Sequence, residues 1–491
     1  MSDPIASSES TVIDLMSHRT GLPRHDGLYY PCGSSLISKM KYLKPSAGFR
    51  ETWQYSNIMY NILSLIPEVL LKTRFTRYVK EHIFVPLNLN STTYSPDVAL
   101  ESGNLASGFV RDGVNKTEDL FGMGTPREVP FWPSSGGEDG NSEKEFRKSN
   151  HASNSFCLAV VSGAGGVISS AKDVATWLQT LLLEGKNPAN NEQVIPSAVI
   201  HKVATGVTVS VGTAPYPELA PVVYGGGQMI SSYRGHNFIE HGGVTLGFRT
   251  QITRFPFDNL GVAVLSNDDS FGSFLMDAIK WRIVDKLIGL DMVDWNSRYR
   301  TKVQEAHEQE IQSSVPRPVN PTPPSVSFSS LEGKYHNAAY GTLHLCGVPP
   351  IGSSSSSCRD LINELPIRFP GAVNASVPTF FTRLPESELE LTLTHMRFQH
   401  FSGNLFNVSF FASLPLVDSE SFRLNGAEIA KYWVYPPSPD TSIVIEFTQS
   451  SDENTIVGFG FTGDFWGAGA GVEAPVGQTV KERAEVWYDR I

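Results

Sequence analysis

The sequence predicts an α+β fold: an antiparallel sheet with flanking helices and a helical subdomain, followed by an all-β barrel domain. Three observations predict it. Apolar residues recur at helical spacing in Ile58-Ile62-Leu65-Ile66 and in Val174-Trp177-Leu178-Leu181-Leu182. Strand-like segments follow one another between residues 238 and 265, at Phe238-Ile239, Arg249 to Phe255 and Leu260 to Leu265. After five prolines between Pro316 and Pro324, apolar residues alternate with polar ones at Leu389-Leu391-Leu393 and Ile443-Ile445-Phe447. Helices kept apart from an antiparallel sheet are the mark of an α+β layer arrangement. The 491 residues exceed one ordinary core. The expected division is 1–311, a proline-rich linker at 312–328, and a barrel at 329–491.

Composition excludes several classes. Charged residues make up 18% and hydrophobic ones 40%, which is globular. The net charge of -11, with no basic stripe, gives nucleic-acid binding no electrostatic support. No apolar run reaches the length of a membrane span. The start, Met1-Ser2-Asp3-Pro4, is not a signal peptide, so the chain reads as cytoplasmic, or as secreted where a leader precedes it. Cys32, Cys157, Cys346 and Cys358 are sparse for a disulfide framework and lack metal-ligand spacing; free thiols are expected, with Cys346–Cys358 as the alternative pair.

Taken in order, Thr11 and Asp14 form a capping box opening a short helix that ends by Gly21 and Pro23. His18 reads as a side chain that holds a loop by hydrogen bonds. Residues 24–50 read as a Gly-, Ser- and Lys-rich loop without a helical apolar face. The helix from Tyr55 is expected to kink or end at Pro67, and a second runs from about Phe75 to Ile83. Residues 111–155 read as a mobile polar excursion. Gly163 to Val167 should run close to another backbone. Ser170 with Asp173 reads as a second capping box, ending at Gly185. Leu275, Ile279, Ile283 and Leu287 form the helix expected to cover one sheet face. Ser353 to Ser357 reads as a disordered loop.

Two stretches carry chemistry. In Phe238 to Arg249 the triplet His241-Gly242-Gly243 interrupts a strand, and two glycines at a strand edge let a substrate backbone lie alongside. In Trp53-Gln54-Tyr55-Ser56-Asn57, a Tyr and an Asn two apart open a helix and face one cleft. Together these motifs resemble the serine β-lactamase and penicillin-binding-protein superfamily, in its class C, esterase and DD-peptidase branch, over roughly residues 1–300. Tyr55-Ser56-Asn57 matches its Tyr-x-Asn motif and His241-Gly242-Gly243 the His variant of Lys-Thr-Gly. Asp14 to Pro23, Gly163 to Val167 with Asp173, and Leu265-Ser266-Asn267 resemble connecting segments. The part after the linker resembles the lipocalin-like barrel that follows many members.

The resemblance implies an acyl-enzyme mechanism with no metal or cofactor and a small-molecule acyl substrate. Tyr55 would take the nucleophile's proton and hand it to the leaving group, which for a phenol of pKa about 10 requires neighbouring cations. Asn57 would bind the substrate amide, and His241 would orient substrate or stabilise Tyr55. Gly242 and Gly243 would admit the substrate, and Val244 N–H would supply half of an oxyanion hole. A neutral His in place of Lys favours esters, amides or thioesters over penicillin-like anions.

The family's Ser-x-x-Lys motif is not found in its usual place. Ser38-Lys39-Met40-Lys41 reads as a surface connection, and Ser169-Ser170-Ala171-Lys172 as a helix cap. The fold is then an N-terminally incomplete β-lactamase/transpeptidase-like one. The chain is read as a truncated or impaired serine hydrolase or acyltransferase, as a non-catalytic small-molecule-binding relative, or as an active enzyme with another nucleophile.

Overall fold

The computed structural model describes residues 1–25, 33–129, 162–269, 272–349, 351, 355–369, 371–384, 394–415, 432–435, 443–450, 455–463, 465–466 and 474–491. A hairpin comes first, β1 (Gly108–Asp112) with β2 (Thr125–Val129). A six-stranded antiparallel sheet follows in chain order: β3 (Thr208–Val211), β4 (Val222–Tyr224), β5 (Met229–Tyr233), β6 (His236–Thr245), β7 (Phe248–Phe255) and β8 (Leu260–Ser266). Each strand pairs with its sequence neighbour, so short turns suffice.

Helices cover both faces of this sheet. On β8, Val262 packs with Leu260 and Val264 against the helix Gly272–Ile288, while Gly261 faces Leu178 of the helix Ala171–Leu182. Strand residues alternate faces, so the two helices lie on opposite sides. A Cβ on Gly261 would sit 3.1 Å from the Leu178 Cβ.

The expected buried stripe of the helix Gly272–Ile288 is wrong by about a quarter turn. Of the expected residues Ile283 packs against the core, but Leu275, Ile279 and Leu287 are exposed, and Met276, Lys280, Trp281 and Val284 are buried. Two apolar stripes share this helix, and the one carrying a lysine won. Lys280 Nζ is neutralised by Glu240 Oε2 and Asp277 Oδ1, each at 2.8 Å, which makes its burial tolerable.

Other expectations change too. Residues 33–42 are helical, Gly33–Lys39 running into a 3₁₀ turn Met40–Tyr42, and Leu36, Met40 and Leu43 form the buried face the sequence reading missed. The helix Asn57–Leu63 ends before Pro67, which sits in the first turn of the next helix, Ile66–Leu71. Asp14 accepts from the Thr11 backbone N–H at 2.9 Å and from Arg50 and Arg19, but its helix is only Val12–Met16. Ser170 caps Asp173 N–H at 3.2 Å, yet the Asp173 carboxylate accepts from Ser91 N–H and the Thr92 hydroxyl, so the second capping box is half formed. Of the polar stretch 111–155, residues 111–129 belong to the β1–β2 hairpin, and 130–155 lie outside the described residues.

The second half closes into an eight-stranded barrel. Its strands are β9 (Gly333–Asn337), β10 (Gly341–Gly347), β11 (Thr379–Arg383), β12 (His395–Ser402), β13 (Leu405–Pro415), β15 (Ile443–Gln449), β16 (Ile456–Gly463) and β17 (Val486–Arg490), and the β12–β13 pairing closes the ring. The short β14 (Tyr432–Tyr435) pairs with the far end of β13 only. The barrel interior is packed with aromatic side chains, among them Phe380, Phe398, Phe406 and Phe459. Leu389, Leu391 and Leu393 lie outside the described residues, whereas Ile445 and Phe447 point inward as their alternation requires. Ser355 and Ser356 open the helix Ser356–Arg368, and Ser353 and Ser354 lie outside the described residues.

The proline-rich stretch is tied down: Arg317 donates to the His400 carbonyl at 2.7 Å, and Gly403 N–H to the Thr322 carbonyl at 2.7 Å. Cys346 and Cys358 form a disulfide, Cα–Cα 5.3 Å, rather than free thiols; Cys32 and Cys157 lie outside the described residues. No helix among the described residues is long and apolar enough to cross a membrane.

The buried stripe has a direct test. Met276→Ala should cost about 2–5 kcal/mol in chemical denaturation, because it empties a closed contact. Leu275→Ala should stay within about 0.5 kcal/mol. Equal losses would return the stripe to the sequence-based position.

Candidate active site

Residues 53–57 approach the helix Asn57–Leu63 in extended form, with Gln54 and Ser56 buried and Trp53, Tyr55 and Asn57 half-buried. That alternation puts Tyr55 and Asn57 on one side. His18 fixes the strip. Its carbonyl accepts from Gln54 N–H at 2.7 Å, and its Nδ1 accepts from Ser56 N–H at 3.2 Å. An accepting Nδ1 carries no proton, so the ring is neutral. Burial, with the cationic forms of His241 and Arg24 nearby, pushes its pKa down to about 3. Its ring lies 4.6 Å from Tyr55, 5.0 Å from Tyr224 and 5.2 Å from Tyr60, centroid to centroid.

The facing wall is β6. Strand β5 pairs with it only up to Met229↔Glu240, so His241 to Thr245 run on with β7 on one side alone. Glu240 turns toward Lys280 and the helix, so His241 turns to the other face. A Cβ on Gly243 would run into the Thr250 hydroxyl across the pair, a reason for that glycine independent of any ligand. Gly242 and Val244 are exposed. The Tyr224 hydroxyl lies 3.0 Å from His241 Nε2, and His241 Nδ1 lies 2.7 Å from the Gly242 carbonyl. A carbonyl only accepts, so Nδ1 carries the proton and Nε2 accepts a hydrogen bond from the Tyr224 hydroxyl. Burial lowers the His241 pKa and raises that of Tyr224, which favours this neutral pairing.

The two walls meet. Tyr55 and His241 ring centroids are 6.3 Å apart. The Arg24 guanidinium carbon sits 5.4 Å from the Tyr55 ring centre. Arg24, Tyr224 and Tyr60 were not foreseen as site residues. Tyr224 had a weak signal, standing just before Gly225-Gly226-Gly227; Arg24 had none, since only the fold brings it to residue 55. Gly163 lies so close to the Tyr60 carbonyl that no side chain fits, in line with the expected close approach. Neither Ser-x-x-Lys match belongs to this site: Ser38 and Lys41 are exposed, and Ser169 and Lys172 are exposed where the helix Ala171–Leu182 begins.

Residues 3–285 match the Beta-lactamase family model. The chain belongs to the beta-lactamase family. It is similar to an unguisins hydrolase of Aspergillus campestris, 26% identical over 348 residues, covering 68% of this chain and 58% of the relative. A second unguisins hydrolase, of Aspergillus violaceofuscus, is 24% identical over 372 residues, covering 70% and 59%. The N-acetylmuramyl-L-alanine amidase of Bacillus subtilis is 27% identical over 275 residues, covering 52% and 55%. The chain thus spans under three-fifths of the length of these curated relatives. Among solved structures, the octameric penicillin-binding protein homologue from Pyrococcus abyssi aligns with TM-score 0.44 at 14% identity, over 97% of this chain and 77% of that one.

The state of His18 sets a pH dependence. Its folded pKa, about 3, lies below the unfolded value of about 6.5. The unfolded chain therefore takes up the proton first, and His18's contribution is complete above pH 6.5 and shrinks as pH falls toward 3, by up to about 1.4 kcal/mol per pH unit. The His18 imidazole resonances should not titrate between about pH 8 and 5 in NMR spectra of the folded protein. A midpoint near 6.5 would show that Nδ1 is not a fixed acceptor.

Proposed function

We propose that this family member acts on esters or amides of small molecules through an acyl-enzyme, as a serine hydrolase or acyltransferase. The reading rests on one observation, the Tyr55 phenol beside His241 and under the Arg24 guanidinium. Tyr55 takes the proton of the attacking hydroxyl and returns it to the leaving group. A guanidinium over the ring favours phenolate, so Arg24 is the cation a tyrosine base needs. His241, neutral and held between Tyr224 and the Gly242 carbonyl, orients the substrate carbonyl and adds no charge. Asn57 binds the acyl amide. The substrate lies along the side of Gly242 and Gly243 that β5 does not cover, and Val244 N–H donates to the developing oxyanion.

A neutral histidine suits uncharged acyl groups; relatives named as unguisins hydrolases support hydrolysis, and one named as an N-acetylmuramyl-L-alanine amidase supports amide chemistry. The exposed positions of both Ser-x-x-Lys matches favour a second reading, in which the cleft binds such compounds without turning them over.

Labelling of the whole chain with a fluorophosphonate, followed by peptide mass spectrometry, separates these readings. The acyl-enzyme reading requires one modified serine, outside both exposed Ser-x-x-Lys matches. Tyr55→Phe should slow labelling about 10²- to 10⁴-fold. Arg24→Ala should move the pH midpoint of labelling upward, because the phenol loses its cation. A folded chain that binds an amide or ester ligand but is never labelled would leave only the binding reading.

A further inference from the structure

A cluster of metal-ligating side chains lies outside the active site, on the outer face of the barrel. On β10, Leu343 and Leu345 point into the barrel core, so His344 and Cys346 share the opposite face. The helix Ser356–Arg368 covers that face with Cys358, Leu361 and Leu365, and its first turn brings Cys358 to the strand. Cys358 Sγ lies 3.6 Å from His344 Nε2, and one ligand atom from each of His344, Cys346 and Cys358 falls within 4.8 Å of the others.

We propose that, once the Cys346–Cys358 bond is reduced, His344, Cys346 and Cys358 form a three-ligand site for a thiophilic divalent cation of the Zn²⁺ class. The geometry is close to what the ion needs. With Zn–S of about 2.3 Å and Zn–N of about 2.0–2.1 Å, the nitrogen-to-sulfur edge of a tetrahedron is about 3.6 Å. The His344–Cys358 separation already equals that edge. The two sulfurs must part to about 3.8 Å, and Cys346 Sγ, within 4.8 Å of the His344 nitrogen, must settle at the same nitrogen-to-sulfur edge, which side-chain rotation supplies. The fourth position goes to water.

The chemistry balances. A dithiol reductant gives two electrons and two protons, the S–S bond opens, and two thiols result. Metal binding then releases both thiol protons. Cys358 is the third residue of a 13-residue helix, and its N–H is held by the Ser355 hydroxyl at 3.1 Å, so its thiolate sits at the positive helix end. Burial of the imidazole and the Lys334 charge keep His344 toward its neutral form, the one that ligates. A small-molecule disulfide reverses this by exchange: it takes up the two electrons and leaves as two thiols, the Cys346–Cys358 bond re-forms and the ion is expelled, so occupancy follows the redox poise of the surroundings.

The test uses the full chain with Cys32 and Cys157 replaced by serine, prepared under a reductant, with the thiols counted after unfolding. The reduced chain should retain one equivalent of Zn²⁺ through gel filtration, and Co²⁺ in its place should show thiolate charge-transfer absorption. The same chain after oxidation should retain none. His344→Ala should weaken binding by more than about tenfold, and Cys358→Ser should abolish the charge-transfer band. A reduced, folded chain that holds no Zn²⁺ would overturn the proposal. So would a folded His344→Ala chain that binds as tightly as the parent.

Discussion

The candidate site depends on one buried imidazole. His18 stands in left-handed backbone at φ 55, a conformation disfavoured for a side chain of its size. Two hydrogen bonds offset that cost, Gln54 N–H to its carbonyl and Ser56 N–H to its ring. The second works only while Nδ1 is bare. The rings of Tyr55, Tyr60 and Tyr224 exclude water and keep it so. A protonated ring would lose its acceptor and become a charge in an apolar box. The packing of Tyr55 on the His18 ring rests on that neutrality.

The second wall gets its order from the alternation of β6. Phe238 and Glu240 face the helix Gly272–Ile288, where Phe238 packs on Trp281 and Glu240 meets Lys280. His241 must then face the cleft. The barrel touches both walls. Trp433 and Leu414 pack with Val110, Val129 and Leu246 at the end of β6. Ala339 packs among Leu22, Leu36, Ile58 and Met59, the core beneath the Tyr55 strip, and Tyr340 bonds His25 Nδ1 at 2.5 Å. A movement of the barrel would therefore reach the cleft through packed contacts rather than through the chain connection alone.

Three of the six sheet strands, β6 to β8, and the alternation of β15 were legible because each rests on a local pattern. The failures have physical causes. The helix Gly272–Ile288 carries two apolar stripes, and burial of Lys280 beside Glu240 and Asp277 reversed the choice that hydropathy makes. Residues 33–42 looked like loop because their helical face is narrow, yet Leu36, Met40 and Leu43 find a complete core in Ile58 and Met59. Cys346 and Cys358 looked unpaired because a 12-residue separation says nothing about a strand and a helix meeting face to face.

The sequence by itself singled out Tyr55, Asn57 and His241, because they stand in short motifs, and the structure brings the Tyr55 and His241 rings to 6.3 Å of each other. It also determined the fold class, an antiparallel sheet with helices and a closed β-barrel, because periodicity is local. Only the tertiary structure decided what charges and fixes those groups. Arg24 over Tyr55, Tyr224 on His241 and the carbonyl and ring of His18 under residues 54 and 56 are contacts between distant segments. Such contacts depend on how layers pack, and the energy that selects a packing belongs to the whole core rather than to any stretch of chain.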